Sequence, residues 1–209
     1  MSSSIDRGIK WYDEHAGKLA NQYEQVDFEQ VHGWLIDFLP PSNADAQLLD
    51  IGAGSGRDAF WLAASGYEVV AVEPAQALRE EAQQLHPHAR LHWVADSLPE
   101  LAEVHRLARN FDLVLLSAVW MHVPPEERNY AFRQLLSLLK PGGVLAITLR
   151  LGEPDIERGM HAVSSEEFRQ LAAEHEVVVE HISHSPDALG REGVSWAEVL
   201  IRHEQLLCC

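Results

Sequence analysis

Leu49-Asp50-Ile51-Gly52-Ala53-Gly54-Ser55-Gly56-Arg57-Asp58 is the stretch that decides the fold of this chain. Gln47 to Ile51 is a short apolar run that reads as a buried strand. The alternating glycines read as a sharp turn, and residues from about 57 to 65 read as the helix leaving it. Glycine lets the backbone turn tightly and leaves bare main chain open to a ligand at the carboxyl edge of a sheet. The spacing is G-x-G-x-G, and Arg57 stands where the dinucleotide fingerprint G-x-G-x-x-G carries its third glycine.

Outward from this turn, apolar strands alternate with amphipathic helices. Strands are expected at Tyr67 to Val72, Arg90 to Val94, Phe111 to Leu116 and Val144 to Leu149. An alternating pair follows at Glu176 to Ser183 and Ser195 to Arg202. Helices are expected over 28–39, with Asp27 as N-cap and Pro40-Pro41 as the stop, over 75–85 after Pro74, and from a Ser97-Glu100 capping box to about 108. Two more are expected: one from Pro124-Pro125 carrying Ala131, Leu135, Leu136 and Leu139 on one side, and one from Ser164 to about 174. The fold class this implies is α/β: a doubly wound, Rossmann-like, mostly parallel seven-stranded sheet. It has an antiparallel C-terminal strand pair and helices on both faces. Residues 1–209 read as a single domain, with 1–46 a leader or lid and 47–209 the core sheet.

The 209 residues can bury roughly 70% of the unfolded surface, so a full core needs no staples. Sixteen basic against 32 acidic residues give a net charge of −16, which disfavours binding to a phosphate backbone. The only cysteines are Cys208 and Cys209, adjacent and unable to cross-link a fold, and no long apolar run occurs. The expectation is a cytoplasmic protein with no membrane partner and no nucleic-acid partner. The 12 histidines include His86/His88 and His181/His184, but no Cys/His set has zinc spacing, so no metal is expected.

Asp50, two residues before the first glycine, disfavours a pyrophosphate and suits a cationic ligand. Glu73 ends the second strand 19 residues after Gly54, where a carboxylate accepts ribose hydroxyls. Asp96 follows the third strand, within reach of an adenine amino group. A ligand with a ribose, an adenine and a positive charge, but no phosphate, fits these residues. LDIGAGSG, Val72-Glu73-Pro74, Ala95-Asp96, FDLVLLSAVWMHV and LLKPGG together resemble the class I S-adenosylmethionine-dependent methyltransferases, from about Gln47 to Arg202. The resemblance implies S-adenosylmethionine as cofactor. Gly52, Ala53 and Gly54 would pack on it, Asp50 would orient its methionine end and Glu73 would hold the ribose. Asp96 and Ser97 would take the adenine edge, Ser117 would lie near the methionine amino group, and Pro74 would be a neighbour of the ribose acid. By the same resemblance the leader folds over the cofactor with Tyr23 or Tyr12 near its carboxylate. Simple packing of Tyr12, Tyr23 and Trp11 onto the sheet is the structural alternative.

His122, just past the fourth strand at the same sheet edge, is the candidate catalytic base, with a pocket-wall role as the alternative. Arg158 and His161 lie in the 150–163 loop and are candidate substrate contacts; the arginine would suit a carboxylate. Asp58 reads either as a cofactor contact or as an exposed first-turn acid favouring the helix dipole. No Asn/Asp-Pro-Pro-aromatic motif follows the fourth strand, and no Cys stands there to attack a pyrimidine. These observations point to methyl transfer onto a nitrogen or oxygen atom of a small-molecule acceptor, by a monomer or homodimer. A catalytically silent cofactor-binding module and an NAD-dependent reductase are the alternatives.

Overall fold

The computed structural model describes residues 3–42 and 45–203, so Cys208 and Cys209 lie outside the described residues. Seven strands form one sheet: β1 Gln47–Ile51, β2 Glu68–Val72, β3 Leu91–Val94, β4 Phe111–Ser117, β5 Leu139–Leu151, β6 Val178–Pro186 and β7 Ser195–Arg202. Their order is β3-β2-β1-β4-β5-β7-β6. β1 to β5 pair in parallel, and β7 runs antiparallel to both β5 and β6. Successive side chains of a strand point to opposite faces, so the apolar runs supply two cores. Leu49, Ile51, Val70, Val72, Val114 and Leu116 face one layer. Leu48, Val69, Ala71, Leu113 and Leu115 face the other.

The helices are α1 Ser4–Glu14, α2 Ala16–Tyr23, α3 Phe28–His32, α4 Arg57–Ala64, α5 Gln76–Leu85, α6 Ala102–Arg106, α7 Arg128–Ser137 and α8 Ser165–Glu174. None of the described helices is long and apolar enough to cross a membrane. The polar leader thus contains α1 and α2. Ser3 caps α1 through a reciprocal capping box with Asp6. Leu19 and Ala20 of α2 are buried with Ala75 and Leu78 beside α5, which fixes the leader over the carboxyl ends of the strands.

Several boundaries differ from the sequence expectation; β6, expected at Glu176 to Ser183, runs Val178–Pro186. The helix expected over 28–39 is α3 followed by a 3₁₀ turn, Gly33–Phe38. The Asp27–Gln30 capping box forms as expected, but Gly33 is a poor helix residue and the chain tightens ahead of Pro40. The Ser97 capping box does not form. Asp96 instead accepts the Glu103 and Val104 N–H groups at 2.7 and 3.0 Å, and α6 starts only at Ala102. A carboxylate is the stronger acceptor for those unpaired amides. The helix expected from Pro124-Pro125 opens as a 3₁₀ turn, and Leu139 belongs to the next strand. That strand, β5, begins five residues earlier than Val144 and absorbs Pro141 and two glycines at a register shift against Phe111 and Leu113. A Cβ at Gly143 would lie 2.9 Å from the Phe111 and Lys140 carbonyl oxygens, so only glycine passes there.

Phe28 stacks on Trp61 with ring centroids 4.0 Å apart, tying α3 to α4. Leu115, with no exposed surface, is at the centre of the sheet. Leu115→Ala is expected to lower unfolding free energy by about 2–5 kcal/mol through the lost contacts and residual cavity. A urea titration checks this: the midpoint falls and the slope is unchanged.

Candidate active site

β1 and β4 are neighbours in the sheet although β2 and β3 intervene in the chain, so the strand order reverses direction beside β1. Open α/β sheets bind ligands outside the carboxyl ends of the strands at such a switch point. Here the turn after β1 is pulled onto β2: the Gly52 and Ala53 N–H groups both donate to the Val72 carbonyl, at 2.8 and 2.9 Å. Gly52 and Gly54 have φ of +70° and +57°. A Cβ at Gly52 would lie 2.4 Å from a Val119 methyl. Positive φ and this close approach together exclude larger residues.

A cavity of about 510 Å³ opens over the turn, within the range of small-molecule sites. Asp50, Glu73 and Asp96, from the ends of β1, β2 and β3, all line it, as do Gly52, Ala53 and Gly54. Pro74, Ser97 and Ser117 line it too. Glu73 accepts the Gly54 N–H at 3.0 Å and the Ala75 N–H at 2.9 Å. Burial pushes its carboxyl up to about 7, against the pull of those two amides. Asp50 is buried with Oδ2 unpartnered, and burial followed by the charge of Asp58 raises its pKa well above the usual range.

Asp58 corrects the expectation of an exposed helix-dipole acid. It is buried and accepts from His32 Nε2 at 3.0 Å and from both forks of Arg57 at 2.7 and 2.9 Å. Burial alone would raise its pKa, but His32 and Arg57 outweigh burial and lower it. Ser117 Oγ also meets His32 Nε2, at 3.2 Å. A nucleophilic relay needs acid and hydroxyl on different ring nitrogens; sharing one makes this a buried anchor for α3. His32 carries no sequence signal, because a lone histidine in a short helix has no spacing to betray it.

α1 and α2 close the far side. The Tyr23 ring lies 3.5 Å from where a Gly54 Cβ would stand. Tyr12 Oη lies 3.1 Å from His122 Nε2 and also accepts a hydrogen bond from the Arg158 guanidinium. Because a guanidinium only donates, the phenol proton is free to go to the histidine. Burial, then the positive charge of Arg158, lowers His122 to about 4, so the ring is neutral at pH 7. Arg158 also stacks over Trp11, 4.9 Å from the ring centroid. Tyr12, Tyr23, His122 and Arg158 all line the cavity.

His161 does not line it, contrary to the sequence expectation of a substrate contact. Its N–H donates to the Met121 carbonyl at 2.8 Å and its Nε2 lies 3.2 Å from Ser4 Oγ. The loop turns it toward the start of α1. Asp96 lines the cavity but both its oxygens are engaged by backbone amides, of Ser97 on one side and of Glu103 and Val104 on the other. Arg150, Asp187, Arg191 and Glu198, which sequence reading missed, also line the cavity. Arg150 alone had a signal: it is the only charge in the apolar run 144–151, at the carboxyl end of its strand. Among the described residues no three His, Cys, Asp or Glu side chains are grouped to hold a metal ion.

Residues 48–143 match the family model described as methyltransferase domain. Over this span the chain is similar to methyltransferases. The chain is 32% identical over 147 residues to the biotin biosynthesis bifunctional protein BioHC of Cellvibrio japonicus, covering 68% of the chain and 27% of that protein. The chain spans between 27% and 64% of the length of the curated relatives it matches. In fold it is similar to N-methyltransferase NodS of Bradyrhizobium japonicum, solved with S-adenosylhomocysteine: TM-score 0.64, 18% identity, 82% of this chain and 85% of that one. It is also similar to phosphoethanolamine N-methyltransferase 2 of Haemonchus contortus: TM-score 0.72, 16% identity, 98% of this chain and 61% of that one.

The raised carboxyl of Glu73 makes a pH prediction. A carboxylate accepts hydroxyl hydrogen bonds better than the protonated acid does. Affinity for S-adenosylhomocysteine is therefore expected to rise by about tenfold between pH 6 and pH 8, as Glu73 loses its proton near 7. His122, at about 4, does not titrate in this window. Calorimetry on Glu73→Gln checks the assignment: affinity is lower throughout and the slope with pH is lost.

Proposed function

We propose that this protein transfers a methyl group from S-adenosylmethionine to a nitrogen or oxygen atom of a small-molecule acceptor. The observation that carries this reading is one cavity with two chemically distinct ends. One end holds the glycine turn, three strand-end carboxylates and Tyr23; the other holds the neutral His122, Tyr12 and arginines.

The residues present fit the donor. Asp50 has a buried, unpartnered oxygen suited to a cationic group, and Glu73 presents a carboxylate at the cavity wall. At Gly52 any Cβ would collide with Val119, so bare main chain is kept at the turn. When bound, S-adenosylmethionine supplies a methyl group already activated on a sulfonium sulfur. The protein's work is then alignment, which contributes several kcal/mol to such displacements. Gly52, Ala53 and Gly54 would offer bare main chain, Glu73 would hold the ribose, and Pro74, Asp96 and Ser97 would form the adenine side. Asp50, Ser117 and Tyr23 would surround the methionine end. His122, kept neutral, would take a proton from the acceptor in place of the Tyr12 hydroxyl it now meets. Helices α1 and α2 would serve as a lid over the sheet domain, excluding water.

The cavity of about 510 Å³, lined in part by these helices, supports a small acceptor, and the net charge of −16 disfavours nucleic acid. Calorimetric titration with S-adenosylmethionine, S-adenosylhomocysteine and NADH tests the donor. Micromolar binding of the first two and none of NADH is expected; binding of NADH alone would overturn the reading. His122→Ala is expected to keep S-adenosylhomocysteine affinity within about twofold while turnover of an identified acceptor falls by about 10²-fold or more. A rate unchanged in that variant assigns His122 to the pocket wall.

A further inference from the structure

Besides Arg57 at the glycine turn, the cavity lining carries three guanidinium groups: Arg150 at the end of β5, Arg158 beside Tyr12 and Arg191 in the turn before β7. In a chain with twice as many acids as bases this concentration is a local reversal of sign. The three are not equally engaged. Asp187 accepts from Arg191 at 2.6 and 3.1 Å and also from the Trp196 indole at 2.9 Å. Arg158 is held by Tyr12 and by the Trp11 ring, and its Nε too is buried without a hydrogen-bond partner among the described residues. Arg150 donates from one terminal nitrogen to the Glu153 carbonyl at 3.0 Å, while its Nε is buried and has no hydrogen-bond partner among the described residues. A buried charged donor left unpaired is costly, and the cost is offset when an anion arrives.

We propose that the methyl acceptor carries a carboxylate, received by Arg150 with Arg158 and Arg191 beside it. The groups facing Arg150 support this. After burial, Arg191 and Arg158 weigh against its charge, and Asp155 and Asp187 only partly compensate. A guanidinium offers Nε and a terminal nitrogen as a fork that matches two carboxylate oxygens. Glu198, buried in the lining of the same cavity and bonded to Ser183 and Ser185, and Asp187 add negative charge that penalises a dianion more than a monoanion. That favours a carboxylate over a phosphate monoester. An acceptor anchored there would leave its nucleophile free to face His122 and the donor end of the same cavity.

This inference rests on the methyltransferase reading, and the experiment separates the two. The full chain is titrated with S-adenosylhomocysteine first. The saturated protein is then titrated with benzoate, benzamide and phenyl phosphate, which share a ring and differ in the head group. Benzoate is expected to bind at least about tenfold more tightly than benzamide, and Arg150→Gln to lose that preference while keeping S-adenosylhomocysteine affinity. Arg150→Lys, which keeps the charge but not the fork, is expected to recover only part of it. Equal binding of benzoate and benzamide, or no binding of benzoate, overturns the proposal; tighter binding of phenyl phosphate overturns the choice of carboxylate. If S-adenosylhomocysteine gives no heat while benzoate is still preferred and Arg150-dependent, the anion site stands and the donor reading falls.

Discussion

Everything at the site depends on one backbone arrangement: two consecutive amides, of Gly52 and Ala53, sharing the Val72 carbonyl at the end of β2. This locks the turn after β1 across the neighbouring strand and leaves the left-handed glycines facing the cavity. The Gly54 N–H then goes to Glu73, so the same turn fixes the carboxylate that ends β2. Val119, after β4, lies where any Gly52 side chain would be. Three strand ends are thereby held in mutual register by groups that no side-chain substitution can imitate, because the constraint is on φ and on the space for a Cβ.

Beneath this turn lies an unusual amount of buried charge. Asp50 and Asp58 are both buried, and their repulsion is managed rather than removed: Asp58 is paired with His32 and Arg57, while Asp50 keeps one oxygen unpartnered. Such an arrangement does little for stability, since desolvating ions offsets most of their attraction. It leaves one unpartnered carboxyl oxygen, of Asp50, near the glycine turn, while the neutral His122 meets Tyr12 and Arg158 in the same cavity.

The strands and the glycine turn were legible because their signals are local. Apolar runs of four to seven residues flanked by turn residues can be little else, and β1 and β7 fall on the residues that periodicity assigns. Helix boundaries were less legible where backbone amides had competing acceptors. Asp96 displaces Ser97 as the cap of α6, a contest between a carboxylate and a hydroxyl that depends on where the third strand ends in space. The two leader helices were illegible for another reason: their apolar faces are narrow and acquire meaning only against α5 and His122.

The amino-acid order alone therefore determines the α/β alternation, the glycine turn and the acids that follow β1, β2 and β3, because strand ends and turns are set by neighbours in the chain. Only the tertiary structure decides that His32 anchors Asp58 and that His161 turns away from the cavity. It alone brings Tyr12, 110 residues from His122, into contact with it. It also gathers Arg150, Arg158 and Arg191 around one cavity. Those contacts join residues whose separation along the chain carries no period, so their chemistry exists only once the sheet has brought them together.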